Sequence, residues 1–150
     1  MSEPLFNAED FMSQTIDDEL DTHVKPIPEE EYSPAIISKV APSSGVSDKG
    51  PWACLDVFWG IDDAVLSERL GRDKLTSKQR LFLDVDETGR LMVGTGQNVA
   101  LGRLRDAVGQ NGPRPWSPSM LVGQAGTVLV ENYLYEGETY DRVKKVTALA

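Results

Sequence analysis

Apolar and polar residues alternate most regularly between Trp52 and Ile61: Ala53, Leu55, Val57, Trp59 and Ile61 fall on one side, and Trp52, Cys54, Asp56, Phe58 and Gly60 on the other. Successive side chains of a strand point to opposite faces, so a period of two predicts a strand with one face in a core. The second set is too aromatic for an idle solvent surface and too polar for another core. Ser77 to Val85 repeats the pattern, with Leu81, Leu83 and Val85 directed inward and Lys78, Arg80, Phe82 and Asp84 outward. Three further runs read as strands: Tyr32 to Val40, edged by Pro34; Thr127 to Tyr135; and Tyr140 to Val146, entered through the turn Glu136-Gly-Glu138.

A strong helical period interrupts these strands between the third and the fourth. Leu101, Leu104 and Val108 share a stripe, Asn98 stands where an N-cap belongs, Gly109 where a helix ends, and Gly102 is placed for close packing. A shorter capped helix is expected from Asp62 to Gly71, before the third strand. Ser43 to Pro51 reads as a turn-rich loop and Asn111 to Gly123 as a proline-rich connection. Three strands, a helix and two strands predict a mainly β protein. The expected architecture is a five-stranded Greek-key barrel of the oligonucleotide/oligosaccharide-binding (OB) type, its helix between strands three and four.

The first 27 residues follow another pattern. Asn7-Ala-Glu-Asp predicts a helix start, and Met12, Ile16 and Leu20 recur at helical spacing with acids between them, up to the break at Lys25-Pro-Ile-Pro. Residues 1–27 are therefore expected to form an acidic, partly flexible arm, and residues 28–150 a single binding domain. The chain carries a net charge of −9, and residues 1–31 account for it, with ten acids against Lys25 alone; fourteen acids and fourteen bases balance in the rest. An arm of this kind suits a solvated leader, a peptide that recruits a partner, or a strap for assembly into a capsid or oligomer.

Several chemistries lack their parts. One cysteine forms no internal disulfide, and one histidine, His23, leaves histidine-based triads and zinc sites incomplete unless another chain contributes. Asp84-Val-Asp86-Glu-Thr88 has the spacing of a phosphatase nucleophile motif, but no later acid pair follows to hold magnesium and the flanking strands read as antiparallel; a strand-ending acidic turn is expected. Gly94-Thr-Gly-Gln-Asn-Val99 lacks the third glycine of a dinucleotide loop. No catalytic residue, metal or cofactor is expected. The absence of a secretory segment or an 18-residue apolar run leads to the expectation of a protein inside the cell and away from membranes.

Aromatic and basic residues interleave on the outward positions: Trp52 and Phe58, then Lys78, Arg80 and Phe82, then Tyr140, Arg142 and Lys144. A base stacked on an exposed ring gains roughly 1–3 kcal/mol whatever its identity, while neighbouring cations follow the phosphates. These eight residues are the candidate site for single-stranded DNA; the other use of such rings is to pack beneath the arm or a second copy of the chain.

Four segments carry a family likeness: Pro28-Glu-Glu-Glu-Tyr32, Lys49-Gly-Pro-Trp-Ala-Cys-Leu55, Asn98-Val-Ala-Leu-Gly-Arg-Leu-Arg105 and Tyr140-Asp-Arg-Val-Lys144. Through them the body from about Pro28 to Ala148 resembles small bacteriophage proteins, some assigned as single-stranded DNA-binding. The resemblance implies an OB-type domain that binds and protects single strands during phage DNA replication or recombination, in the cytoplasm of the infected host. It also implies phage replication or recombination proteins as partners of the acidic arm, with homo-oligomers open. The alternative expectation is a capsid-decorating or other structural phage protein built on a small β-barrel.

Overall fold

A computed structural model describes residues 6–150. Glu3, one acid of the expected arm, lies outside them. The fold rests on β1 (Glu31–Ser47), β2 (Gly50–Ile61), β3 (Leu75–Phe82), β4 (Ala125–Tyr135) and β5 (Glu138–Thr147), which form one antiparallel sheet in the order β3-β2-β1-β4-β5. Among the described residues three helices accompany it, α1 (Ala8–Met12), α2 (Ala64–Leu70) and α3 (Val99–Ala107), with a 3-10 turn at Pro118–Leu121. The protein is thus mainly β, with the longest helix between the third and fourth strands.

The period-two pattern explains which face of the sheet is buried. Leu55, Val57, Trp59 and Ile61 of β2 join Leu75 and Leu81 of β3, Ala35 and Ile37 of β1, Val128 and Val130 of β4 and Val143 of β5 in a single core. Leu101 and Leu104 of α3 and Leu121 of the 3-10 turn complete it. The buried indole of Trp59 donates to Gln79 Oε1 at 3.0 Å, so the largest core side chain leaves no polar atom unmatched.

Polar side chains join the two outermost strands. Ser77 of β3 donates to Asp141 Oδ1 of β5 at 2.8 Å, and Arg72, just after α2, donates to Asp141 Oδ2 at 3.1 Å. The same Oδ2 accepts the backbone N–H of Ile27 at 2.9 Å. Ile27, fully buried, belongs to the core although it precedes the first strand. Its carbonyl accepts from Asn132 Nδ2 at 2.8 Å, the Lys25 carbonyl accepts from Arg72 at 3.1 Å, and the Pro28 carbonyl from the Tyr32 hydroxyl at 3.0 Å. Residues 25–30 form a strap fastened at the β3–β5 seam. Burial of Tyr32, with Glu30 adding to it, pushes the phenol up to about 12.

The structure corrects four local expectations. Ser43 to Pro51 is strand, because β1 and β2 continue as a two-stranded hairpin to the turn at Asp48-Lys49; its Ser and Gly residues line a ladder running to Ser47↔Gly50. The arm helix ends after five residues, at Met12, and Met12, Ile16 and Leu20 are exposed, so their spacing has no surface to bury against. Asn98 stands at the N-cap of α3 as expected, but with a left-handed backbone (φ 49°) and no side-chain capping bond; its side chain binds Asp84 and Met92 instead. Gly102 packs against nothing within 4 Å of where a β-carbon would stand. By contrast α2 is capped as expected, Asp63 accepting from the Leu66 N–H at 2.9 Å. No helix among the described residues is long and apolar enough to cross a membrane.

Candidate nucleic-acid interface

On the outer face, strand register sets side chains directly opposite one another. β2 and β3 pair Phe58 with Lys78, Asp56 with Arg80 and Cys54 with Phe82, and β1 places Lys39 against Phe58. Phe82 is 65% exposed, although a large apolar ring is usually withdrawn from water. Lys39 Nζ lies 5.3 Å from the centre of the Phe58 ring, within cation–π range. Arg80 grips Asp56 with two bonds, Nε to Oδ1 at 2.9 Å and Nη2 to Oδ2 at 3.1 Å. Arg80's hydrogen bond holds the Asp56 carboxyl below the usual carboxylate range, and the pairing holds the guanidinium above its own.

A second cluster forms where β4 meets β5. Tyr133 stacks on Tyr140 with ring centres 5.7 Å apart, and the Arg142 guanidinium covers the other ring at 4.4 Å from the centre of Tyr133. Arg142 Nε also donates to Glu131 Oε1 at 2.7 Å, and the Tyr140 hydroxyl to Glu138 Oε2 at 2.9 Å, a bond that raises the phenol's pKa.

The eight residues expected from the sequence are therefore distributed unevenly. Phe58, Lys78, Arg80 and Phe82 share one surface; Tyr140 and Arg142 form the second cluster. Lys144 lies further along β5, where the strand faces α3. Trp52 stands apart on the hairpin extension, beyond the β2–β3 ladder that begins at Cys54, with its indole over Gly45. A β-carbon built on Gly45 would fall 2.7 Å from the ring, so only glycine lets the indole lie there. Sequence reasoning missed Lys39 and Tyr133. Each alternates with neighbours of its strand, but a lone lysine and a tyrosine beside Glu131 carry no signal until register gives them Phe58 and Arg142 as partners.

The candidate phosphatase motif is occupied with local structure. Asp84 Oδ2 accepts the Asn98 N–H at 2.7 Å, while Asp86 Oδ1 accepts from the N–H and hydroxyl of Thr88 and the N–H of Arg90. Those bonds, the Thr88 hydroxyl first, hold Asp86 below the usual carboxylate range. Both acids organise the loop that follows β3. Among the described residues no three His, Cys, Asp or Glu side chains come together as a metal site. Comparison with known protein families and with characterised proteins finds no match to this chain.

Proposed function

We propose that the chain is a sequence-tolerant single-stranded DNA-binding protein whose bases stack on the outer face of β2 and β3. The observation that carries this reading is Phe82, an exposed ring next to Arg80 on the face of β3, which shares that face with Phe58 and its two flanking cations, Lys39 and Lys78. Exposed rings flanked by ammonium groups match single strands, whose bases present their faces and whose phosphates run alongside. We read the sheet as an OB-type barrel: its strand order is that of a five-stranded Greek key opened between β3 and β5, and Ser77 and Asp141 link those two strands. The family resemblance supplies the setting of this proposal, phage DNA replication or recombination in the host cytoplasm, with the acidic arm reaching partner proteins.

The experiment is titration with an oligothymidylate. Phe82→Ala should weaken binding by roughly 1–3 kcal/mol and leave thermal stability nearly unchanged, since the ring is mostly in water. Equal affinity for the variant and the parent would remove the stacking role and leave this face to a protein partner.

A further inference from the structure

The basic side chains of this protein divide into those with partners and those without. Arg72, Arg80, Arg105 and Arg142 are each bound to a carboxylate or a carbonyl. Arg103 of α3 and Lys144 and Lys145 of β5 are exposed, and none of the three makes an ion pair or hydrogen bond among the described residues. These three line one cleft between α3 and the end of β5, with Leu104 in its wall and Gln79 of β3 at its edge. Among the described residues Asp106 is the only carboxylate lining it, so three cations against one acid leave two positive charges in excess. The groove at the opposite end of the site, beside Trp52, is lined by Asp84, Asp86 and Glu87 and repels phosphate.

We infer that the α3–β5 cleft holds the phosphodiester backbone of the strand as it leaves the stacking face, extending the binding site past Lys144 toward α3. The inference rests on the proposed single-strand binding and assigns its direction: away from the acidic groove and across β5. Cations without partners can neutralise phosphates with no internal bond to break, whereas Arg80 and Arg142 must first leave their carboxylates. The cleft contains no exposed ring, so its role is to bind backbone and it adds no stacking.

The test uses the full chain and its Arg103→Gln/Lys145→Gln double variant, both outside the stacking face, with oligothymidylates of about 5 and about 15 nucleotides, the range spanned by one barrel of this kind. For the long oligomer the variant should lose two phosphate contacts, about 25-fold in affinity near 0.1 M salt, with the salt slope flatter by about 1.4. For the short one, which the stacking face fills, affinity should stay within about two-fold, against a loss of some five-fold expected per phosphate contact removed. Equal losses at both lengths would mean the two cations act only as a general positive field, and no loss at either would empty the cleft; both overturn the inference. Failure of the parent chain to bind either oligomer would instead overturn the functional reading beneath it.

Discussion

Asp141 and Asp56 each face an arginine from inside the same small sheet, and their surroundings separate them. The Asp141 and Arg72 side chains are 10% and 17% exposed, and the same carboxylate also ties Ser77 and the N–H of Ile27. Asp56 is almost as buried, at 11%, but Arg80 is 43% exposed and the pair stands among the rings of the outer face. A carboxylate with three donors at a seam holds chain segments together. One with a single half-solvated partner adds little to stability, and here it chiefly sets how much positive charge the face displays.

That comparison predicts its largest difference in stability. Asp141→Ala leaves the largely buried Arg72 without its carboxylate and removes the strap's bond to the Ile27 N–H, at a cost of about 3–5 kcal/mol. Asp56→Ala should cost about 1 kcal/mol, because water reaches the remaining guanidinium. Chemical denaturation of both variants checks the pair of values; equal losses would erase the distinction between seam and face.

The strap side also answers to alkali. Tyr32 ionises at about 12 in the folded chain against 10.0 for the free side chain, so folding favours its neutral form. The stabilisation is complete below pH 10 and is lost as pH rises from there through 12, amounting to about 3 kcal/mol. Tyr32→Phe should remove that alkaline loss, measured as the fall in melting temperature across this window.

The smallest effect belongs to the face. Asp56 has a depressed pKa when folded, so its contribution is present above about pH 4 and fades as pH falls through the lower folded value. Asp56→Asn should blunt that acid limb by no more than about 1 kcal/mol. With Arg80 released, the salt dependence of oligothymidylate binding should steepen by about 0.7. An unchanged slope would mean that Arg80 does not meet phosphate even when free.

The five strands were legible because each buries one face, and burial leaves a period of two that needs no partner to be seen: Leu55, Val57 and Trp59 announce β2 by themselves. The hairpin extension was not, since its residues past Pro42 face water on both sides and a Ser- and Gly-rich ladder reads as a loop. The strap escaped for a different reason. Ile27 sits between two prolines with no repeat around it, and only the third dimension supplies Asp141 and Asn132. At the candidate site, which residues point outward followed from alternation; that Arg80 is bound to Asp56 and Arg142 to Glu131 depends on register between strands, which no single strand encodes.

The glycine beneath Trp52 has a spectroscopic consequence. The chain holds three tryptophans, and the fold gives each a different environment: Trp59 is sealed in the core against Gln79, Trp116 lies under Arg105 with its N–H on Gln110, and Trp52 rests half-open on the bare backbone of Gly45. Emission from the first two tracks unfolding. Emission from Trp52 follows the hairpin extension: a quencher dissolved in the buffer reaches the half-exposed Trp52 and Trp116 but not Trp59, and Gly45→Ala, which displaces the Trp52 indole, singles out the Trp52 share of that signal while leaving the other two chromophores in place.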